Sequence, residues 1–134
     1  MLTRQTQATI GGDKVKPIVQ IQQENTDYGA IRVNLKTAPG DVWTGNPGEG
    51  GNWHLNVWFR HEDDTEPVNA GAVIAGQSWT DDDKQVTFTV TDSMTAKPGI
   101  VYVDCIADLA GAYKTTLFAI KLKVIGKCMS VGVQ

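Results

Sequence analysis

Apolar and polar residues take turns along most of this sequence, and that period of two narrows what the chain can become more than any other feature. Its cleanest instance is Val86-Thr87-Phe88-Thr89-Val90-Thr91. A strand turns successive side chains to opposite faces, so such a run presents one apolar and one polar face; a helix would scatter the same residues around its circumference. The pattern recurs where Gly29, Ile31, Val33 and Leu35 oppose Ala30, Arg32, Asn34 and Lys36, and where Val15, Pro17, Val19 and Ile21 alternate with Lys16, Ile18, Gln20 and Gln22. Trp53, Leu55, Val57 and Phe59 oppose His54, Asn56, Trp58 and Arg60, which nominates the first set as core. Val101, Val103, Cys105 and Ala107 then oppose Tyr102, Asp104, Ile106 and Asp108, and a closing run from Thr115 to Ile125 sets Phe118, Ile120, Leu122 and Val124 against Leu117, Ala119, Lys121 and Lys123. Composition agrees: 14 Val, 9 Ile and 14 Thr stand against 6 Leu. Branching at Cβ suits a pleated sheet better than a helix. With 14 Gly and 5 Pro dispersed between the apolar runs, the expected fold is all-β, an immunoglobulin-like β-sandwich of about seven antiparallel strands.

The 134 residues suffice for one domain. Residues 1–13 are polar and end in Gly11-Gly12-Asp13, which reads as a flexible N-terminal arm; residues 14–126 form the sandwich, and residues 127–134 a C-terminal tail. Between the strands lie the Glu24–Asp27 turn, the glycine-rich loop Gly45–Asn52, an acidic loop His61–Pro67 and an acidic turn Asp81–Lys84, with their carboxylates clustered at Glu62–Glu66 and Asp81–Asp83. Gly71–Gly76 reads as a short strand buried on both faces, Thr91–Ala96 as a single helical turn stopped by Lys97-Pro98-Gly99, and Ala110–Ala112 as the turn of a closing hairpin. The first residues have no apolar stretch of signal-peptide length, and no run is long enough to cross a bilayer as a helix. A net charge of −3 leaves no electrostatic footprint for nucleic acid or an anionic membrane.

Candidate chemistry is sparse. His54 and His61 are the residues suited to proton transfer near neutral pH, and neither belongs to a catalytic or metal-binding motif. The expectation is a protein that is not an enzyme and holds no cofactor. Cys105, at a core-facing strand position, and Cys128, in the tail, are expected to stay unpaired. The acidic loops invite calcium, but the spacing of an EF-hand is absent, and they read as solvated charge. The glycine-rich loop has no following helix and is no phosphate cradle. Four tryptophans remain. Trp53 fits the central core position of a sandwich, while Trp43, Trp58 and Trp79 are the candidates for an interface or for stacking on a ligand, with an interface preferred over a sugar site.

From Asp27 to Val124 the sequence resembles a phage structural family. The features that carry the likeness are Ile31-Arg32-Val33-Asn34-Leu35, the run Val86–Val90 followed by Met94-Thr95-Ala96-Lys97-Pro98-Gly99, and the closing strand Thr115–Val124. They are similar to the N-terminal immunoglobulin-like domain of baseplate upper proteins from long-tailed phages. The stretch Val42–Asn52 departs from that pattern. The resemblance implies a virion protein, made in the host cytoplasm, that helps assemble the tail or baseplate and attaches receptor-binding components. Its partners would be other virion proteins and further copies of itself, with neither nucleic acid nor membrane bound. The rival expectation is a carbohydrate-binding module using exposed tryptophans.

Overall fold

The computed structural model describes residues 2–23, 28–43, 53–73, 84–109 and 113–126. Eight strands follow one another in these segments: β1 (Leu2–Thr9), β2 (Ile18–Gln22), β3 (Tyr28–Lys36), β4 (Trp53–His61), β5 (Val68–Val73), β6 (Lys84–Thr89), β7 (Gly99–Leu109) and β8 (Tyr113–Ile125). They form a three-stranded sheet in the order β1-β3-β6 and a five-stranded sheet in the order β2-β8-β7-β4-β5. No helix occurs among the described residues.

The alternation read from the sequence decides which side chains meet between the sheets. From the smaller sheet come Ile31, Val33, Leu35, Val86 and Phe88; from the larger come Val19, Ile21, Leu55, Val57, Phe59, Val101, Val103, Cys105, Ala107, Phe118, Ile120, Leu122 and Val124. Phe88 and Phe118 stack across the gap with ring centroids 5.8 Å apart and planes 24° from parallel. This contact ties one sheet to the other through large apolar area. Leu117 is buried beside Phe118 although strict alternation would point it outward. A bulge explains it: the register passes from Cys105 opposite Phe118 to Ile106 opposite Thr116, leaving Leu117 as the extra residue.

Several expectations require correction. Residues 1–13 were expected as an arm outside the fold, yet Leu2–Thr9 is β1, paired along its whole length with β3. A polar sequence can do this at a sheet edge, where backbone hydrogen bonds hold the strand and, among the described side chains of β1, only Ala8 is fully buried. β1 raises the count from about seven strands to eight. The sheets are also mixed instead of purely antiparallel, because β1 runs parallel to β3 and β2 parallel to β8. The stretch Thr91–Ala96 makes two successive turns, with Met94 N donating to Thr91 O and Thr95 N to Asp92 O, and no helix. Of the stretch Gly71–Gly76, Gly71–Val73 ends β5, which starts at Val68 and pairs with β4 as an edge strand among the described residues. His61 and Lys84 were assigned to acidic loops. Both are buried strand ends, because the inward period of β4 carries on through Phe59 to His61 and that of β6 begins at Lys84. Residues 74–76, Cys128, the C-terminal tail 127–134, the glycine-rich loop and the turns at 24–27, 81–83 and 110–112 lie outside the described residues.

Candidate functional site

The outward side chains of the larger sheet assemble its most distinctive surface. In the register, Arg60 of β4 stands opposite Tyr102 of β7, and Tyr102 opposite Lys121 of β8. One step along, Trp58 stands opposite Asp104, and Asp104 opposite Ala119. Cross-strand neighbours of this kind lie within reach of one another. The Arg60 guanidinium sits 5.0 Å from the centre of the Tyr102 ring and the Lys121 ammonium 5.9 Å from it, so cations from both flanking strands attend the same ring.

Trp58 and Asp104 help to line a recess of about 380 Å³, completed by Lys16, Phe59, Arg60, Tyr102, Thr65 and Pro67. Lys16 arrives from the segment before β2, which is fastened to β8 where Lys121 N donates to Pro17 O at 2.8 Å. Burial raises the Asp104 carboxyl above its ordinary value of 3.8, and the charge of Lys16 offsets part of that rise. Neither the Trp58 nor the Asp104 side chain makes a hydrogen bond or ring contact with another described residue.

The far wall is the loop after β4, and it is braced. Arg60 Nη1 donates to Asp64 O at 2.7 Å, and Lys97 pairs with Asp64 at 3.3 Å. Glu62 accepts from the backbone N–H of Ile100. His61, 6% exposed, is the keystone: Asp63 N donates to Nδ1 at 3.1 Å, which leaves the proton on Nε2 to reach Pro98 O at 2.8 Å. One imidazole therefore joins two loops. Gly99 makes room for it, having φ +124° and a position where a Cβ would come within 2.9 Å of His61 Nε2.

The sequence candidates scatter. Trp58 is 37% exposed in the recess. Trp43 lies about a second hollow of about 410 Å³ near Gly11, Gly40 and Thr115, packed partly against the core. Trp79 and the side chain of Trp53 lie outside the description. His54 is exposed on β4 and His61 is occupied by backbone groups, so the two histidines share no site. Cys105 is fully buried, and burial, with Asp104 nearby, pushes its thiol up to about 12, which makes it a poor nucleophile. No group of three potential metal-ligating side chains gathers among the described residues. Sequence reasoning missed Asp104, Arg60, Tyr102 and Lys16. The outward alternation of β4 and β7 placed the first three on a sheet face, but only the register, set by pairing at long range, joins them to Trp58.

What the fold and site define is a class: a two-sheet all-β protein with an aromatic and charged recess on the outside of its larger sheet. No protein-family model and no curated protein matches the chain.

Proposed function

We propose that this chain is a non-enzymatic structural module of a phage virion, an immunoglobulin-like unit that joins tail or baseplate parts and helps to seat receptor-binding components. The strand order supports the immunoglobulin-like reading. On this reading β3 and β6 would correspond to strands B and E, and β4, β5, β7 and β8 to C, C′, F and G. The resemblance in Ile31–Leu35, Met94–Gly99 and Thr115–Val124 supports the virion reading.

The single observation that carries assembly is β1. An eight-residue strand with one fully buried side chain among those described, Ala8, is held on an open sheet edge by its backbone, which is how an added strand joins a sheet in β-augmentation. β5, β2 and β6 are likewise edge strands among the described residues, available for pairing with other virion proteins or with further copies of the chain. Light scattering at increasing concentration, alone and with baseplate proteins, tests this reading. Defined oligomers or complexes are expected. A strict monomer under every condition contradicts it, as does turnover of a substrate by the purified protein.

A further inference from the structure

The recess on the larger sheet holds a half-buried carboxylate, Asp104, that accepts no hydrogen bond from a described side chain and has only the charge of Lys16 to favour its ionised form. Asp104 lies between Trp58 and Tyr102, its carboxyl already made harder to ionise by burial. A carboxylate so placed gains from donors supplied from outside the chain. Charge limits what can bring them. A cation would face Lys16, Arg60 and Lys121, and an anion would face Asp104. A neutral molecule carrying several hydroxyl groups suits both.

The aromatic residues set its shape. Tyr102 is engaged by Arg60 at 5.0 Å and Lys121 at 5.9 Å, whereas Trp58, 37% exposed, has no ring or hydrogen-bond partner among the described residues. Its indole is the platform left open for a flat C–H face. Thr65 and Pro67 supply the opposite wall, on the loop that His61, Arg60 and Lys97 brace, so little ordering is needed when a ligand enters. A volume of about 380 Å³ is at the small end for ligand pockets and suits roughly one or two sugar rings.

We propose that this recess binds a neutral saccharide, one ring stacking on Trp58 while its hydroxyls donate to Asp104 and accept from Lys16 and Thr65. The site is separate from the sheet edges invoked for assembly, and either reading can fail without the other. From sequence alone an exposed tryptophan favoured a protein interface; the carboxylate beside it, flanked by cations but without a hydrogen-bond donor, is what favours a sugar.

The test is titration of the ¹⁵N-labelled full chain with D-glucose, D-galactose, N-acetyl-D-glucosamine and L-rhamnose, followed by NMR. At least one sugar is expected to shift the Trp58 indole N–H and the Tyr102 and Asp104 amides saturably, with half-saturation on the order of 1–10 mM. Trp58→Ala and Asp104→Asn should each weaken binding by about tenfold. Lys123→Ala, on the same face outside the recess, should not. Trp58 is at the surface and Asp104→Asn is isosteric, and the amide spectrum of each variant reports that it is folded. The proposal is overturned if none of the four sugars moves these signals at about 50 mM, or if a folded Trp58→Ala binds as tightly as the parent. It is equally overturned if N-acetylproline methylamide moves them more strongly than every sugar, which would assign the recess to a peptide.

Discussion

Turned inward, the smaller sheet offers Ile31, Val33, Leu35, Val86 and Phe88, and the larger offers Val57, Val101, Phe118, Ile120 and Leu122, the same kinds of side chain at the same period. Turned outward, they part company. The smaller sheet shows Thr3, Gln5, Gln7, Arg32, Asn34, Lys36, Thr87 and Thr89, polar and charged groups with no aromatic ring among the side chains described there, Asn34 Nδ2 donating to Gln5 Oε1 at 3.3 Å. The larger sheet shows Trp58, Arg60, Tyr102, Asp104 and Lys121, rigid or charged groups among which Arg60 and Lys121 attend the Tyr102 ring. Burial selects for volume and shape on both inner faces and so makes them alike. The outer faces carry no such demand, and a costly arrangement there, such as a half-buried carboxylate beside an exposed indole, points to use.

The strongest way to break this comparison is at the shared core. Phe118→Ala should cost about 3–5 kcal/mol, because it removes a fully buried ring and its stacking on Phe88. Thr87→Ala on the smaller sheet's outer face should stay within about 0.5 kcal/mol. Urea unfolding measures both, and equal effects would deny that the sheets close on this pair. The two histidines give the next contrast. His61→Ala should cost about 2–3 kcal/mol, since it empties a buried site and orphans Pro98 O and Asp63 N. His54→Ala, exposed on the same strand, should change stability by less than about 0.5 kcal/mol.

Gly99→Ala should follow at about 1–2 kcal/mol, from its positive φ and the crowding against His61. A neutral effect would mean that the loop wall is looser than its hydrogen bonds imply. The smallest effect has an unusual sign. The folded carboxyl of Asp104 holds its proton more tightly than the reference value of 3.8, so the folded state loses stability as pH rises through the raised value, and the loss is complete at neutral pH. Asp104→Asn removes that loss. It should stabilise the protein at pH 7 by less than about 1 kcal/mol, the group being half in water. The gain should fade as pH falls through the raised value toward 3.8 and be gone below it, as unfolding curves at pH 7 and pH 3 would reveal.

Much of the sandwich was legible because side-chain alternation is a local property: reading off Val86 and Phe88, or Leu55, Val57 and Phe59, needs no knowledge of neighbours. β1 escaped for the opposite reason. Leu2–Thr9 has almost no apolar period, and its strand character comes from β3, which offers it an unpaired edge. The parallel pairings of β1 and β2 escaped likewise, since orientation is set by the path of the chain. At the site, Trp58 was recognisable as an aromatic on the wrong face of its strand, and the alternation of Tyr102 and Asp104 was plain. That all three meet, with Lys16 beside Asp104, depends on a register between segments far apart in sequence. His61 reads as a loop residue by its polarity and its acidic neighbours, and as a strand end by its period. Following the inward positions Leu55, Val57 and Phe59 one step further would have placed it correctly.

The claim that one outer face is specialised while both inner faces are plain core is tested most directly by hydroxyl-radical footprinting with residue-level mass spectrometry on the free protein. Trp58 and Tyr102 should be oxidised readily, while Phe88 and Phe118 remain unmodified until the protein is unfolded. Oxidation of Phe118 in the folded chain, with Trp58 protected, would contradict the account.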